Sequence, residues 1–333
     1  MKSRHDLIFI VGAPRTGTTL TRDILNRHPS VYLCNEVHFC ERVLDVVGSE
    51  AGSTPEGFAR ASRLLVDAYS WSFRKTHPQW GAETVGRRAQ EHGGGLESLL
   101  EVALVEEARR HGAVRAGDSS PQDVLYLETL AMWYPGARFI ALVRDPRAYL
   151  ASYKNYHRKN ISTHRERYDP LANGMLWRSY MNRVLAARDH IDSDRFMILC
   201  YEELVRDPST RVQELCHFLG LDFHSDLLNI DRQNSSYFSV DQDRSIRGIT
   251  AASMDRWRSA LSDTEIWLIE KIAAGPMREF GYEPESKGLH PRALLDLAAH
   301  AMRAPMRVRN LLFGTGKPFT WRRFRRALSS LRV

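Results

Sequence analysis

Long apolar runs are missing from this 333-residue chain: no stretch approaches the roughly 20 residues that crossing a bilayer requires. Cysteine is scarce. The four present (Cys34, Cys40, Cys200, Cys216) have neither metal-site spacing nor the density of a disulfide framework. Only Met1-Lys2-Ser3-Arg4-His5-Asp6 precede the first apolar run, too few for a secretory leader, so the expectation is a soluble, cytoplasmic protein. Acid is absent from the last stretch: Leu297 to Val333 holds nine Arg/Lys and no Asp or Glu, leaving 38 basic against 40 acidic residues elsewhere. The net charge of +7 therefore belongs to the tail, and the nearly neutral body speaks against nucleic-acid binding. An apolar content of 43% excludes wholesale disorder, and the length suffices for a large core.

What is present is organised around Leu7 to Glu36. Leu7-Ile8-Phe9-Ile10-Val11 reads as a strand buried on both faces. Gly12-Ala13-Pro14-Arg15-Thr16-Gly17-Thr18-Thr19 follows, and then a helix from Leu20 to Arg27. A Gly-bounded loop feeding a helix N-terminus aims backbone N–H groups and the positive end of the helix dipole at an anion. The nucleoside-triphosphate version of this loop, G-x-x-x-x-G-K-[ST], needs a Lys where this chain has Thr18. The cation has moved inside the loop, to Arg15. That disfavours ATP or GTP hydrolysis and favours a differently charged phosphate ester.

Further strands are expected at Val31–Leu33, 114–117, Arg138–Val143 and Phe196–Cys200, with helices at 121–134, 145–157, 171–190 and 208–219. Residues 39–112 read as mostly helical, with turns at 52–55 and 93–95 and an aromatic cluster of Trp71, Phe73, His77 and Trp80 that is core or ligand pocket. Strands alternating with helices predict an α/β fold: a P-loop-type, mostly parallel sheet with helices on both faces. Arg144 leaves the end of a buried strand and Ser152 lies two turns along the next helix, a guanidinium and a hydroxyl suited to a phosphate. Glu36 follows the second strand as a carboxylate able to take a proton, with His38 as the reserve base; Glu36 alternatively caps the next helix or pairs with Arg42.

Pro14-Arg15-Thr16-Gly17-Thr18-Thr19-Leu20 resembles the 5′-phosphosulfate loop of sulfotransferases that use 3′-phosphoadenosine 5′-phosphosulfate (PAPS). The stretch from Phe9 to Glu36, including His28-Pro29, looks most like the tyrosylprotein sulfotransferase branch, and matches recur to about Pro284. The resemblance implies the sulfotransferase fold and PAPS as co-substrate, without a metal. It implies cofactor contacts from Arg15, Thr16, Gly17, Thr18 and Thr19, with Arg144 and Ser152 on the 3′-phosphate and Tyr201 near the nucleotide. Glu36 stands 21 residues after Arg15, the family's spacing between loop Arg and base, which implies Glu36 as base. Ser239-Val240-Asp241-Gln242 resembles the start of the C-terminal cofactor loop, where Ser239 would meet the sulfuryl group and Arg244, Arg247 or Arg256 would close over the 3′-phosphate.

One departure matters. Related enzymes place a Lys two positions before a Pro, where it stabilises the bridging oxygen; Asp118-Ser119-Ser120-Pro121 puts Ser119 there. Arg15 then carries the load, or Lys154 reaches in, or the enzyme is slow. The branch also carries a membrane anchor before the loop; with only six residues ahead of the first apolar run, none is expected here. A sulfotransferase domain over 1–290, with an acceptor-binding insertion at about 37–112, is expected to precede a basic helical extension over 291–333. In that extension Trp321, Phe324, Leu328 and Leu331 make an apolar stripe between arginines, which either lies on an anionic membrane or packs on the body. The expected activity is sulfuryl transfer to a hydroxyl of a glycan, lipid or small metabolite. A P-loop kinase and a nucleotide-binding protein without catalysis are the alternatives.

Overall fold

A computed structural model of the chain describes residues 6–72, 80–159, 168–230, 249, 251, 254–286 and 288. The apolar runs become strands β1 (Ile8–Gly12), β2 (Val31–Asn35), β3 (Arg115–Ser119), β4 (Arg138–Val143) and β5 (Phe196–Cys200). They form one sheet in the order β2-β3-β1-β4-β5. β1 pairs in parallel with β3 and with β4, and β2 in parallel with β3. All five residues of β1 are buried, as are all of β4 after Arg138, which requires cover on both faces. The mostly parallel α/β sheet read from the sequence is the one observed.

Among the described residues, α1 (Thr18–Leu25) joins β1 to β2. α2 (Pro55–Ser72), α3 (Ala82–Glu91) and α4 (Leu96–Arg110) fill the segment between β2 and β3. They are followed by α5 (Leu127–Trp133), α6 (Pro146–Lys159), α7 (Pro170–His190), α8 (Tyr201–Arg206), α9 (Pro208–Leu219) and α10 (Asp263–Glu279). Several bounds differ from expectation: β2 reaches Asn35 and α1 runs from Thr18 to Leu25. β3 runs on to Ser119, because Asp118 and Ser119 are buried with hydrogen-bond partners and carry no apolar signal. The helix expected over 121–134 divides into a 3-10 segment, Pro121–Tyr126, and α5. Tyr126 leaves helical geometry at φ −123°, with its hydroxyl donating to the Asp45 carboxylate.

The chain forms two compact units. The first comprises Met1–Leu142, Arg183–Leu199 and Ser209–Leu228 and holds nearly all of the sheet. Its core includes Phe9 stacked on Phe139 and Tyr134, ring centroids 5.5 and 5.6 Å apart. The second comprises Val143–Asn182, Cys200–Pro208 and Asn229–Val333. Within it α10 starts with a capping box, Ser262 and Glu265 each satisfying the other's backbone N–H. The tail stripe of Trp321, Phe324, Leu328 and Leu331 lies outside the described residues. No helix among the described residues is long and apolar enough to cross a membrane.

Candidate active site

The loop after β1 is shaped by its backbone. Gly12 and Gly17 have φ of 146° and 106°, and between them Arg15 takes φ 73°, a left-handed conformation uncommon outside glycine. A Cβ on Gly12 would lie 2.5 Å from the carbonyl oxygen of Leu142, so only glycine lets β1 leave the sheet there. Thr16 is fully buried and turned inward, its hydroxyl donating to the carbonyl of Ala13 at 2.7 Å. It therefore serves the loop's shape. Thr21 donates its N–H and hydroxyl to the carbonyl of Gly17 and starts α1. The opening N–H groups of α1, those of Thr18 and Thr19 among them, have no acceptor inside the helix, which leaves them for an anion.

Glu36 and His38 follow β2, with φ of 51° and 55°. With Arg15 they are the only non-glycine residues of positive φ among the described residues, and each such conformation costs of order 1–3 kcal/mol and persists only where its surroundings impose it. Here the end of β3 imposes it. The Glu36 N–H donates to the carbonyl of Ser119 at 3.2 Å, and the Val37 N–H to Asp118 Oδ1 at 3.2 Å. The His38 N–H donates to Ser120 Oγ at 2.9 Å, and Ser120 Oγ in turn donates to Asp118 Oδ2 at 2.6 Å. Glu36 keeps 40% of its side chain exposed, whereas His38 retains 3%. Nε2 of His38 stands 3.3 Å from Glu36 Oε2, and Nδ1 stands 3.8 Å from Glu41 Oε2. A π-helical turn, Cys40–Leu44, follows at once. The N-cap of that turn is Phe39, so Glu36 does not cap it; His38 is among the neighbours of its carboxylate.

Behind this turn lie buried acids. Burial pushes the Asp118 carboxyl up to about 6, although Ser120, the Val37 N–H and His38 pull the other way. Burial, with Asp118 and Glu41 nearby, raises Asp123 well above the usual carboxylate range. Burial also raises the Cys34 thiol well above its ordinary value, and all four cysteines are free thiols; a buried protonated thiol is a poor nucleophile.

Arg144, Ser152 and Tyr201 belong to the second unit. Arg144 is buried, its guanidinium 4.2 Å from the centroid of the Tyr201 ring, and its carbonyl accepts from Trp177 Nε1 at 3.1 Å. Ser152 is buried on α6. Glu202 accepts from the Asp145 N–H at 3.0 Å and from the Tyr282 hydroxyl at 2.9 Å; burial raises its carboxyl against the pull of the Arg144 charge. Arg147 was not singled out by the sequence, yet it is buried and heavily engaged. It meets Asp145 at 2.7 Å, Glu270 at 3.0 Å and the carbonyl of Glu283 at 3.1 Å, and it lies over Trp257. The run Arg144-Asp145-Pro146-Arg147 thus carries two arginines of different kinds.

Other readings find their places. Arg256 is half-buried at the start of the short helix Trp257–Ala260. Lys154, the reserve cation, is paired with Glu265 at 2.7 Å, and Glu265 also accepts from Tyr168. Trp80 is core: it is buried edge-on to Tyr69 and donates to Glu107. Ser239, Arg244 and Arg247 lie outside the described residues, as do Phe73, His77 and the side chain of Trp71.

A five-stranded, mostly parallel sheet with a glycine-bounded loop between β1 and a helix N-terminus defines an α/β protein of P-loop type. The profile of the sulfotransferase family matches residues 6–225, and the chain belongs to that family. It is 23% identical over 293 residues to a putative protein-tyrosine sulfotransferase of Caenorhabditis briggsae, covering 85% of this chain and 91% of that one. To a protein-tyrosine sulfotransferase of Drosophila melanogaster it is 25% identical over 297 residues, 84% of this chain but 52% of the fly protein. In fold it is similar to the sulfotransferase domain from the curacin biosynthetic pathway, with a TM-score of 0.53 at 17% identity, covering 85% of this chain and all of that domain.

Proposed function

We propose that this chain moves a sulfuryl group from PAPS to an acceptor hydroxyl, with Glu36 as general base. The observation that carries the reading is the exposed Glu36 carboxylate, held on left-handed backbone at the end of β2 in the same unit as the Arg15 loop. The residues present fit the donor. Within the first unit, Arg15 and the N–H groups of Thr18 and Thr19 suit a 5′-phosphosulfate; within the second, Arg144, Ser152 and Tyr201 suit a 3′-phosphate and nucleotide. Bound, PAPS supplies a sulfuryl group whose bond to a phosphate oxygen breaks as the acceptor oxygen bonds to sulfur. Glu36 takes the hydroxyl proton, and Arg15 with the loop N–H groups neutralises the charge left on the phosphate. Asp145 and Glu202 shape the turn that presents Arg144.

Ser119 supports a second reading, a protein that binds the nucleotide without turning it over. A hydroxyl in place of the family's Lys cannot neutralise the leaving group, and Lys154 is already held by Glu265. A kinase would need at Thr18 the Lys that this loop lacks. One experiment separates all three: incubation with PAPS labelled in its sulfuryl group and a panel of glycan, lipid, phenolic and small-metabolite hydroxyls, beside calorimetry with adenosine 3′,5′-bisphosphate (PAP) and Mg-ATP. A transferase labels an acceptor and binds PAP; a binding protein binds PAP and labels none; a kinase prefers Mg-ATP.

A further inference from the structure

The two rival bases read from the sequence stand against each other, and their exposure differs more than tenfold: 40% of the Glu36 side chain against 3% of His38. A group that receives a proton from a bound acceptor has to be reachable, and His38 is not. Its ring nitrogens instead face two carboxylates, Glu36 at 3.3 Å through Nε2 and the nearly buried Glu41 at 3.8 Å through Nδ1. A ring fixed on one edge from within the fold can hold a carboxylate on its other edge. The backbone points the same way. Three successive N–H groups, those of Glu36, Val37 and His38, are taken in turn by Ser119, Asp118 and Ser120.

We propose that His38 is a positioning residue for Glu36: flanked by Glu41 on its far edge and with its backbone held by the Asp118–Ser120 clamp, it fixes the carboxylate that meets the acceptor. The proposal rests on the reading of Glu36 as the base. It also gives a role to the segment where this chain departs from its relatives. Ser119 brings no charge to the leaving group, but its carbonyl holds the backbone of the base, and its neighbours on either side hold the two residues that follow. One of those neighbours, Ser120, links the His38 N–H to the Asp118 carboxylate, which also accepts from the Val37 N–H.

The test reads the contact first, without any acceptor. In the full chain with PAP present, long-range proton–nitrogen spectra of ring-labelled histidine assign His38 by the signal that Asn replaces in His38→Asn. Glu36→Gln should then shift the Nε2 resonance and Glu41→Gln the Nδ1 resonance. If neither substitution moves either nitrogen, the proposal is overturned.

The second readout is release of labelled sulfate from PAPS under excess enzyme, with water as the acceptor hydroxyl. His38→Asn accommodates the left-handed backbone but is too short to reach Glu36; it should lower that rate by about ten- to a hundred-fold, the range for groups that orient a functional ligand. Affinity for PAP should be unaltered. His38→Gln, whose amide nitrogen reaches the Nε2 position, should recover part of the rate. A wild-type rate in His38→Asn beside a dead Glu36→Gln overturns the pairing and leaves the base reading intact. A wild-type rate in Glu36→Gln overturns the base reading itself.

Discussion

The loop after β1 and the turn after β4 are built from different material. In the first unit Gly12, Arg15 and Gly17 bend the backbone into a helix N-terminus, and Thr16 turns its hydroxyl inward. In the second unit, side chains hold side chains: Arg144 lies on Tyr201, while Arg147 is gripped by Asp145 and Glu270. A backbone cradle needs particular residues only where φ is unusual. A side-chain site needs a partner for every charge it buries. The two should therefore fail differently when altered, the second according to which arginine is lost.

The largest effect is expected from the first unit. Glu36→Gln is nearly isosteric and should lower turnover by about 10²–10⁴-fold while leaving PAP affinity as it was. Transfer kinetics beside calorimetry measure both, and more than half of wild-type turnover in a chemistry-limited assay would move the base elsewhere.

In the second unit, Arg147→Ala should cost about 3–5 kcal/mol of stability, because it strands the buried Glu270 and Asp145 charges. Denaturant unfolding gives the value, and the preference for PAP over AMP should survive under folding conditions. Arg144→Ala should reverse that pattern: binding of PAP falls by about 2–4 kcal/mol and binding of AMP hardly changes. Equal loss of both nucleotides would remove Arg144 from the 3′-phosphate.

The smallest effect concerns Asp118, whose carboxyl is raised by burial to about 6. A raised carboxyl binds its proton more tightly in the fold than in the unfolded chain. Its stabilising contribution is therefore complete below the ordinary carboxylate range near pH 4 and lost as pH rises through about 6. Asp118→Asn does not titrate, and Asn can still accept from the Val37 N–H. Relative to wild type, its melting temperature should improve between pH 5 and pH 8; a constant difference across that range would contradict the assignment.

The sheet was legible because four of its five strands are unbroken apolar runs, and the loop because Gly12 and Gly17 bound it at the spacing of a phosphate-binding loop. β3 was the exception: Asp118 and Ser119 are buried by hydrogen bonds, which leave no periodic trace. Glu36 was singled out by its spacing from Arg15, but its approach to His38 was not. A left-handed φ at Glu or His has no sequence signature, so the turn that brings the two together cannot be read. The clasp of Arg147 joins Asp145 to Glu270, and such long-range pairings lie outside any local pattern. The π-helical turn after His38 was hidden for the same reason, since apolar spacing over five residues does not separate it from an α-helix.

The most direct test of a PAPS site is calorimetric titration of the full chain with PAP, AMP and Mg-ATP under one set of conditions. The expected result is binding of PAP well above AMP, the difference being the 3′-phosphate on Arg144, with Mg-ATP weakest. Binding of Mg-ATP above PAP, or no discrimination between PAP and AMP, would contradict it.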